Sequence, residues 1–279
     1  MIILKQSKYF VKALVNGEYP KSKLSGVFFP STSDFHHLEK ASETKNCFIT
    51  WKEPKLTKTH AVSYQQFIDQ NHDFQFTFFD DNTMAAWMRS HCRDLELYKI
   101  FINSKFSASR VDIFRLAILA EYGGVYTSIN RVFIHPITAT IGTIDKFVIS
   151  FERFKYLRDT ASAAIPQEFR EFSVVQHSIA APSGHPLLMT AIEEIKRSAH
   201  LYMGIKFPSV KEAIWRFTAS LMLTRSVDLY LNSEGSQNVK FLGFEFNDSI
   251  QIPRGSEFRY AASPSYLGAK NQIILERFT

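Results

Sequence analysis

The sequence predicts an α/β fold, a sheet covered by helices, and three observations carry that reading. Short apolar runs rich in β-branched and aromatic residues alternate with longer amphipathic ones. The strongest helix, residues 108 to 122, runs through Gly123-Gly124 straight into another strand-like run. No internal repeat, low-complexity tract or long linker interrupts the alternation, and a 45% hydrophobic, 22% charged composition is that of a folded chain able to bury a core.

In chain order, "NCFITW" (46–51) reads as a buried strand and "AVSYQQFIDQNH" (61–72) as a helix. "FQFTFF" (74–79) reads as an alternating strand, and "DDNTMAAWMRSHCRDLELYKIF" (80–101) as one or two helices behind an Asp/Asn start. Asp80 and Asp81, with Asn82, read as a helix cap rather than a catalytic pair. In the 108–122 helix, Ser107 or Ser109 is the expected cap and Gly123 the left-handed residue that ends it. "VYTSINRVFI" then brings Ser128 and Asn130 to a strand end. "FVISFE" and "SVVQHSIAAP" follow as strands, with the Glu152 carboxylate read as a surface group. His185 is placed at a helix start; "HPLLMTAIEEIKRSAH" and "SVKEAIWRFTASLMLTRSVDLYL" read as helices, Trp215 and Phe217 as core, and "NVKFLGF" as a strand.

Charge and cysteine usage narrow the function. The chain carries 33 basic and 27 acidic residues, and the scattered +6 suits anionic small molecules or a membrane surface; it forms no nucleic-acid stripe. Cys47 and Cys92 are too far apart in sequence to argue a disulfide framework or a cysteine-based zinc site, which fits a reducing compartment. With no apolar run long enough to span a bilayer and lysines where a signal peptide needs an apolar stretch, the expected location is cytoplasmic. Residues 1–45 read as a lysine-rich extension and 46–279 as the main domain. Lys5, Lys8 and Lys12 opposite Ile3, Phe10 and Leu14 give the extension the pattern of an interfacial helix, a peripheral membrane contact, or equally of a helix packed on its own domain. His36, His37 and Glu39 read as exposed.

Asp112 and Arg115 lie three apart on one helical face, where they form an ion pair or jointly grip a hydroxylated ligand. Their helix feeds a strand end, the place where α/β sheets bind ligands. At the level of motifs, Asp112-x-x-Arg115 followed by "AEYGGVYTSIN" resembles glycosyltransferase family 32, which reads Asp-x-x-Arg, a helix, Gly-Gly-x-Tyr and Asp-x-Asp. "FITWKEP", "HDFQFTFFDDN" and "IAAPSGHPLL" agree with it in order, so the resemblance spans roughly residues 46 to 200.

The resemblance implies a GT-A fold, a Rossmann-like mixed sheet flanked by helices, and a retaining hexosyl transfer from a nucleotide sugar to a glycan hydroxyl, as in polysaccharide or lipopolysaccharide biosynthesis. It implies Trp51 near the base, Asp112 and Arg115 on the donor sugar or ribose, and Tyr126 shaping that pocket. The Asp-x-Asp positions fall on Ser128 and Asn130. Ser265 and Tyr266 match a late Ser-Trp pair, while Tyr260 or Ala261 stands where the family has a His. Three readings stay open. The Asn130 amide oxygen helps hold a divalent cation, Mn2+ or Mg2+; or Arg131 or a nearby lysine neutralises the leaving diphosphate instead; or transfer is lost and the domain binds or scaffolds.

Overall fold

The computed structural model describes residues 27–28, 35, 38, 45–56, 58–156, 161–251 and 268–278. Among them, a seven-stranded mixed sheet is flanked by helices, which is the architecture the sequence predicts. Its strands are β1 (Asn46–Thr50), β2 (Gln75–Phe79), β3 (Gly124–Ser128), β4 (Phe147–Lys155), β5 (Phe172–Val174), β6 (Ser178–Ala181) and β7 (Val239–Phe244). They lie in the order β7-β4-β6-β3-β1-β2, with β5 also paired to β4. β1 runs parallel to β2 and β3; β4 runs parallel to β7; β6 is antiparallel to both β3 and β4. Five strands therefore end on one edge of the sheet. The chain leaves β1 for β2 on one side and returns to β3 on the other, so that edge holds a topological switch point.

The helices that matter for the site are α1 (Lys58–Asp69), α2 (Asp81–His91), α3 (Leu95–Asn103), α4 (Ser107–Tyr122), α5 (Pro186–Ser198), α6 (Val210–Phe217) and α7 (Ser220–Glu234). One apolar core packs Phe48, Tyr126, Ile179 and Phe151 of the sheet against α2 to α7. The other packs Cys47, Ile49, Val125 and Val148 against Tyr64 and Phe67 of α1. The period-two alternation of β1 and β3 sorts these residues to opposite faces. Helix α4 is covered nearly all round, with Ile113, Phe114, Leu116, Ile118 and Leu119 all buried, so a single apolar stripe is not what fixes it.

Asp80 caps α2 as expected, accepting the Asn82 and Thr83 amides in a capping box with Thr83. His185 caps α5, its Nδ1 accepting the Leu187 amide. Phe217 is buried, and Trp215 packs partly buried against the same core. Gly123 and Gly124 both have positive φ, 67° and 107°. A Cβ on Gly124 would stand 2.4 Å from the Asn46 carbonyl oxygen, so only glycine lets β3 come this close to β1.

Four expectations are corrected. Neither serine caps α4: its N-cap is Phe106 with no side-chain bond, Ser107 donates to the Asp81 carboxylate at 2.9 Å, and Ser109 is buried. "SVVQHSIAAP" is two strands, β5 and β6, because regular pairing with β4 stops after Val174 and the chain crosses at residues 175–177 to pair with β3 from Ser178. The long helix read over 209–231 breaks at Thr218 and Ala219 into α6 and α7. Glu152 is no surface group; its carboxylate accepts from Ser173 Oγ at 3.0 Å. The suggested N-terminal helix, His36, His37 and Glu39, and residues 260, 261, 265 and 266 lie outside the described residues. Among the described residues no helix is long and apolar enough to cross a membrane.

Candidate functional site

The sheet edge where the parallel strands end gathers two clusters. The first is built on α4, whose Asp112 and Arg115 each retain only 6% exposure. Arg115 Nη2 meets Asp112 Oδ1 at 3.0 Å, and Thr218 Oγ1 donates to Asp112 Oδ2 at 3.1 Å. Arg115 Nη1 donates to the Gln176 carbonyl, and Gln176 Nε2 in turn donates to the Thr218 carbonyl. The guanidinium carbon stands 4.7 Å from the centre of the Tyr126 ring, whose hydroxyl pairs with Thr50 Oγ1. Both corrected breaks, at residues 175–177 and at Thr218, thus supply partners to this pair. Burial pushes the Asp112 carboxyl up to about 6 against the lowering pull of Arg115 and Thr218.

The second cluster surrounds the end of β3. The Asn130 amide donates to Ser128 Oγ at 3.4 Å, and the Arg131 amide donates to the Ser128 carbonyl at 2.8 Å, which folds Ser128 to Arg131 into a turn. The Ser128 amide donates to the His177 carbonyl at 2.9 Å, tying this turn to the start of β6. His177 Nε2 lies 3.0 Å from Glu245 Oε2 at the end of β7. Glu152 completes the group: burial pushes its carboxyl up to about 7, with Ser173, Arg131 and Ser220 pulling the other way and Glu245 adding to the rise.

The sequence-predicted residues are therefore partly brought together. Asp112, Arg115 and Tyr126 touch directly. Ser128, Asn130 and Arg131 form the adjoining turn, since Thr50 and Ser128 are register partners across β1 and β3. Trp51, just beyond β1, packs at a tilt against His60 of α1, with 5.2 Å between ring centres. Gln176, His177, Thr218 and Glu245 escaped the sequence reading. A polar "QH" between two apolar runs was the available signal for the first two.

Three buried polar atoms at this edge have no hydrogen-bond partner among the described residues: Arg115 Nε, Asn130 Oδ1 and Trp51 Nε1. Buried polar atoms are almost always satisfied; Thr77 Oγ1, Trp87 Nε1, Ser109 Oγ and Arg110 Nε also lack a partner among the described residues, so Arg115 Nε and Asn130 Oδ1 are set apart by standing beside the turn at the end of β3 rather than by being orphans. A divalent cation fits the donors poorly. The two Asp-x-Asp positions offer a hydroxyl and one neutral amide oxygen beside a guanidinium, and among the described residues no group of three or more His, Cys, Asp or Glu is arranged around a metal ion.

Comparison with known proteins bears on this same stretch. Residues 57–148 match the glycosyltransferase sugar-binding region containing DXD motif. The match takes in Asp112, Arg115, Tyr126, Ser128, Asn130 and Arg131, covers a minority of the chain and does not single out family 32. No curated protein matches the chain. Among solved structures it is similar to the PaToxG glycosyltransferase, at 13% identity and a TM-score of 0.48, covering 84% of this chain and 77% of that one. It is also similar to the catalytic domain of alpha-toxin from Clostridium novyi (10%, TM-score 0.32, 75% and 66%). A third likeness is the UDP-bound glycosyltransferase domain from the YGT toxin (12%, TM-score 0.33, 70% and 59%). At identities and scores this low, none of the three assigns a residue role to this chain.

Proposed function

We propose that the chain has a GT-A fold and is a retaining glycosyltransferase that moves a hexose from a nucleotide sugar to a hydroxyl of a glycan, with weak or no dependence on metal. The observation that supports this most is that Arg115 Nε and Asn130 Oδ1, both buried without a hydrogen-bond partner among the described residues, stand by the turn at the end of β3 that also carries Arg131. A nucleotide sugar brings what such an edge lacks: hydroxyls for Asp112 and Arg115, an anion for Arg131, and a base for Trp51.

When the bond from the anomeric carbon to the phosphate oxygen breaks, negative charge grows on the diphosphate, and a fixed cation placed there stabilises it most in the transition state. Arg131 supplies that charge. Arg115 and Asp112 orient the sugar, held in place by Tyr126, Gln176 and Thr218. Ser128 and Asn130 line the turn, and Asn130 Oδ1 takes a ligand hydroxyl rather than a cation. Ser265 and Tyr266, which lie outside the described residues, are assigned to donor binding on the resemblance alone. We place the protein in the cytoplasm, with a peripheral membrane contact through its N-terminus.

The replacement of both Asp-x-Asp carboxylates favours one other reading, a domain that binds a nucleotide sugar or glycan without transferring anything. Incubation with UDP- and GDP-sugars, followed by assay of released nucleoside diphosphate, separates the two. A transferase releases diphosphate, and Arg131→Ala lowers the rate at least about tenfold, the scale of lost charge stabilisation, without changing the melting temperature. No release from any donor sugar overturns the transferase reading.

A further inference from the structure

Four hydrogen bonds run in series behind the turn at residues 128–131. Glu245 Oε2 meets His177 Nε2 at 3.0 Å, and His177 Nδ1 meets Ser178 Oγ at 3.3 Å. Ser178 Oγ meets Thr127 Oγ1 at 2.8 Å, and Thr127 Oγ1 donates to the Arg131 carbonyl at 2.8 Å. A hydroxyl has one proton to give. Thr127 gives its proton to Arg131, because a carbonyl only accepts. Ser178 must then donate to Thr127, and His177 Nδ1–H must donate to Ser178. His177 Nε2 is left facing Glu245, and that contact needs one further proton, making the pair an imidazolium and a carboxylate. Without it, a neutral His177 that gives Nε2–H to Glu245 has a bare Nδ1. The four links then cannot all be made: either the His177–Ser178 contact is lost, or Ser178 turns toward that nitrogen and a link nearer Arg131 breaks.

The backbone at Glu245 points to the same pair independently. Glu245, Phe246, Asn247 and Asp248 have φ of 46°, 56°, 57° and 59°, four successive non-glycine residues in the left-handed region. Each costs about 1–2 kcal/mol relative to ordinary backbone, and such strain survives only where the surroundings enforce it. Here the Phe246 amide donates to Ser150 Oγ at 2.7 Å and the Gly243 amide to Asn247 Oδ1 at 2.7 Å, while the buried Phe246 ring packs edge-on to Phe133. What the strained turn delivers is the Glu245 carboxylate to His177.

We infer that His177, held by Glu245, is a positioning residue for the Ser128–Arg131 turn, and that seating a diphosphate beside Arg131 is coupled to uptake of one proton by this pair. The inference rests on the proposed nucleotide-sugar site. Several groups face the pair. Burial chiefly disfavours the imidazolium, and Arg131 and Arg115 add to that, whereas Glu245 favours it. Burial raises the Glu245 carboxyl, but His177, Arg131 and Arg153 more than offset this and hold it below the usual carboxylate range. Glu152 faces both Glu245 and Arg131. A diphosphate cancels the charge of Arg131, the imidazolium becomes favourable, and the completed chain fixes the Arg131 carbonyl. Binding and protonation therefore reinforce one another, with the proton drawn from solvent.

The test is calorimetric titration of the full chain with UDP-glucose and GDP-mannose, whose diphosphates are diesters that do not titrate near neutrality. It is run from pH 6 to 8 in two buffers of different ionisation enthalpy. Wild type is expected to take up a proton and to bind more tightly as pH falls, by about tenfold at most per pH unit for a single proton. Glu152→Gln is expected to keep most of that uptake and His177→Gln to lose it. In Glu245→Gln the amide donates to Nε2 and completes the chain with no extra proton, so uptake vanishes while affinity at pH 8 rises toward the wild-type value at pH 6. That last outcome still decides the matter if His177→Gln fails to fold. Binding by wild type without uptake, or a Glu245→Gln variant weakened equally at every pH, overturns the inference. Failure of wild type to bind either nucleotide sugar overturns the nucleotide-sugar site itself, and the inference with it.

Discussion

Two acid–base pairs stand on the same sheet edge and solve different problems. Arg115–Asp112 is nearly sealed from solvent, and its cation cannot lose its proton, so the pair is a permanent piece of architecture that fixes Tyr126, Gln176 and Thr218 around it. His177–Glu245 is less enclosed, and its cation titrates, so the pair exists in two hydrogen-bonding states that the Ser128–Arg131 turn can feel. On the proposed function, one edge would hold a sugar rigidly and grip a diphosphate conditionally.

The largest effect should come from breaking the permanent pair. Arg115→Ala leaves the Asp112 carboxylate buried without its cation, and a loss of about 3–5 kcal/mol in denaturant unfolding is expected; Arg115→Lys recovers little of it, since a lysine cannot serve Asp112, Gln176 and the Tyr126 ring together. A loss under about 1 kcal/mol would mean the pair is not the keystone described.

Next comes the pH dependence of stability. Glu152 sits at about 7 in the fold against an ordinary value of 4.5, so between those values the folded state holds more protons than the unfolded one. Stability then falls as pH rises through that window, and Asp112, at about 6, acts in the same direction. Glu152→Gln should remove about 2 kcal/mol of the decline between pH 4.5 and 7.5, read from urea midpoints at several pH values. An unchanged slope would place the carboxyl in solvent.

The smallest effect should be Tyr126→Phe. It removes the hydroxyl that pairs with Thr50 but keeps the ring under Arg115, for a cost of about 1 kcal/mol. A cost several times larger would shift the weight from the ion pair to the hydroxyl.

Much of the architecture was legible in the sequence because it rests on local signals. The alternation in "FQFTFF", the Asp80 start and the Gly123-Gly124 end each mark an element through short-range physics. The Asp112-x-x-Arg115 pair was legible too, since helical spacing alone puts both on one face. His177 and Glu245 were hidden by distance: 68 residues separate them, and the contact depends on a left-handed turn for which "FEFND" carries no glycine signal. Thr218 was hidden because "RFTASL" continues a helical pattern, and the break that turns its hydroxyl to Asp112 is made by tertiary contact. Glu152 was misread for a related reason, its burial coming from Ser173 and the start of α7 rather than from its own strand.

The most direct test of the account is titration of the protein with UDP- and GDP-sugars in Mn2+ and again in EDTA. Fixed cations at a working donor site predict binding of similar strength in both conditions, with Arg131→Ala weakening both. Binding only in the presence of Mn2+ would contradict the substitution of side-chain charge for metal, and no binding in either condition would contradict the site.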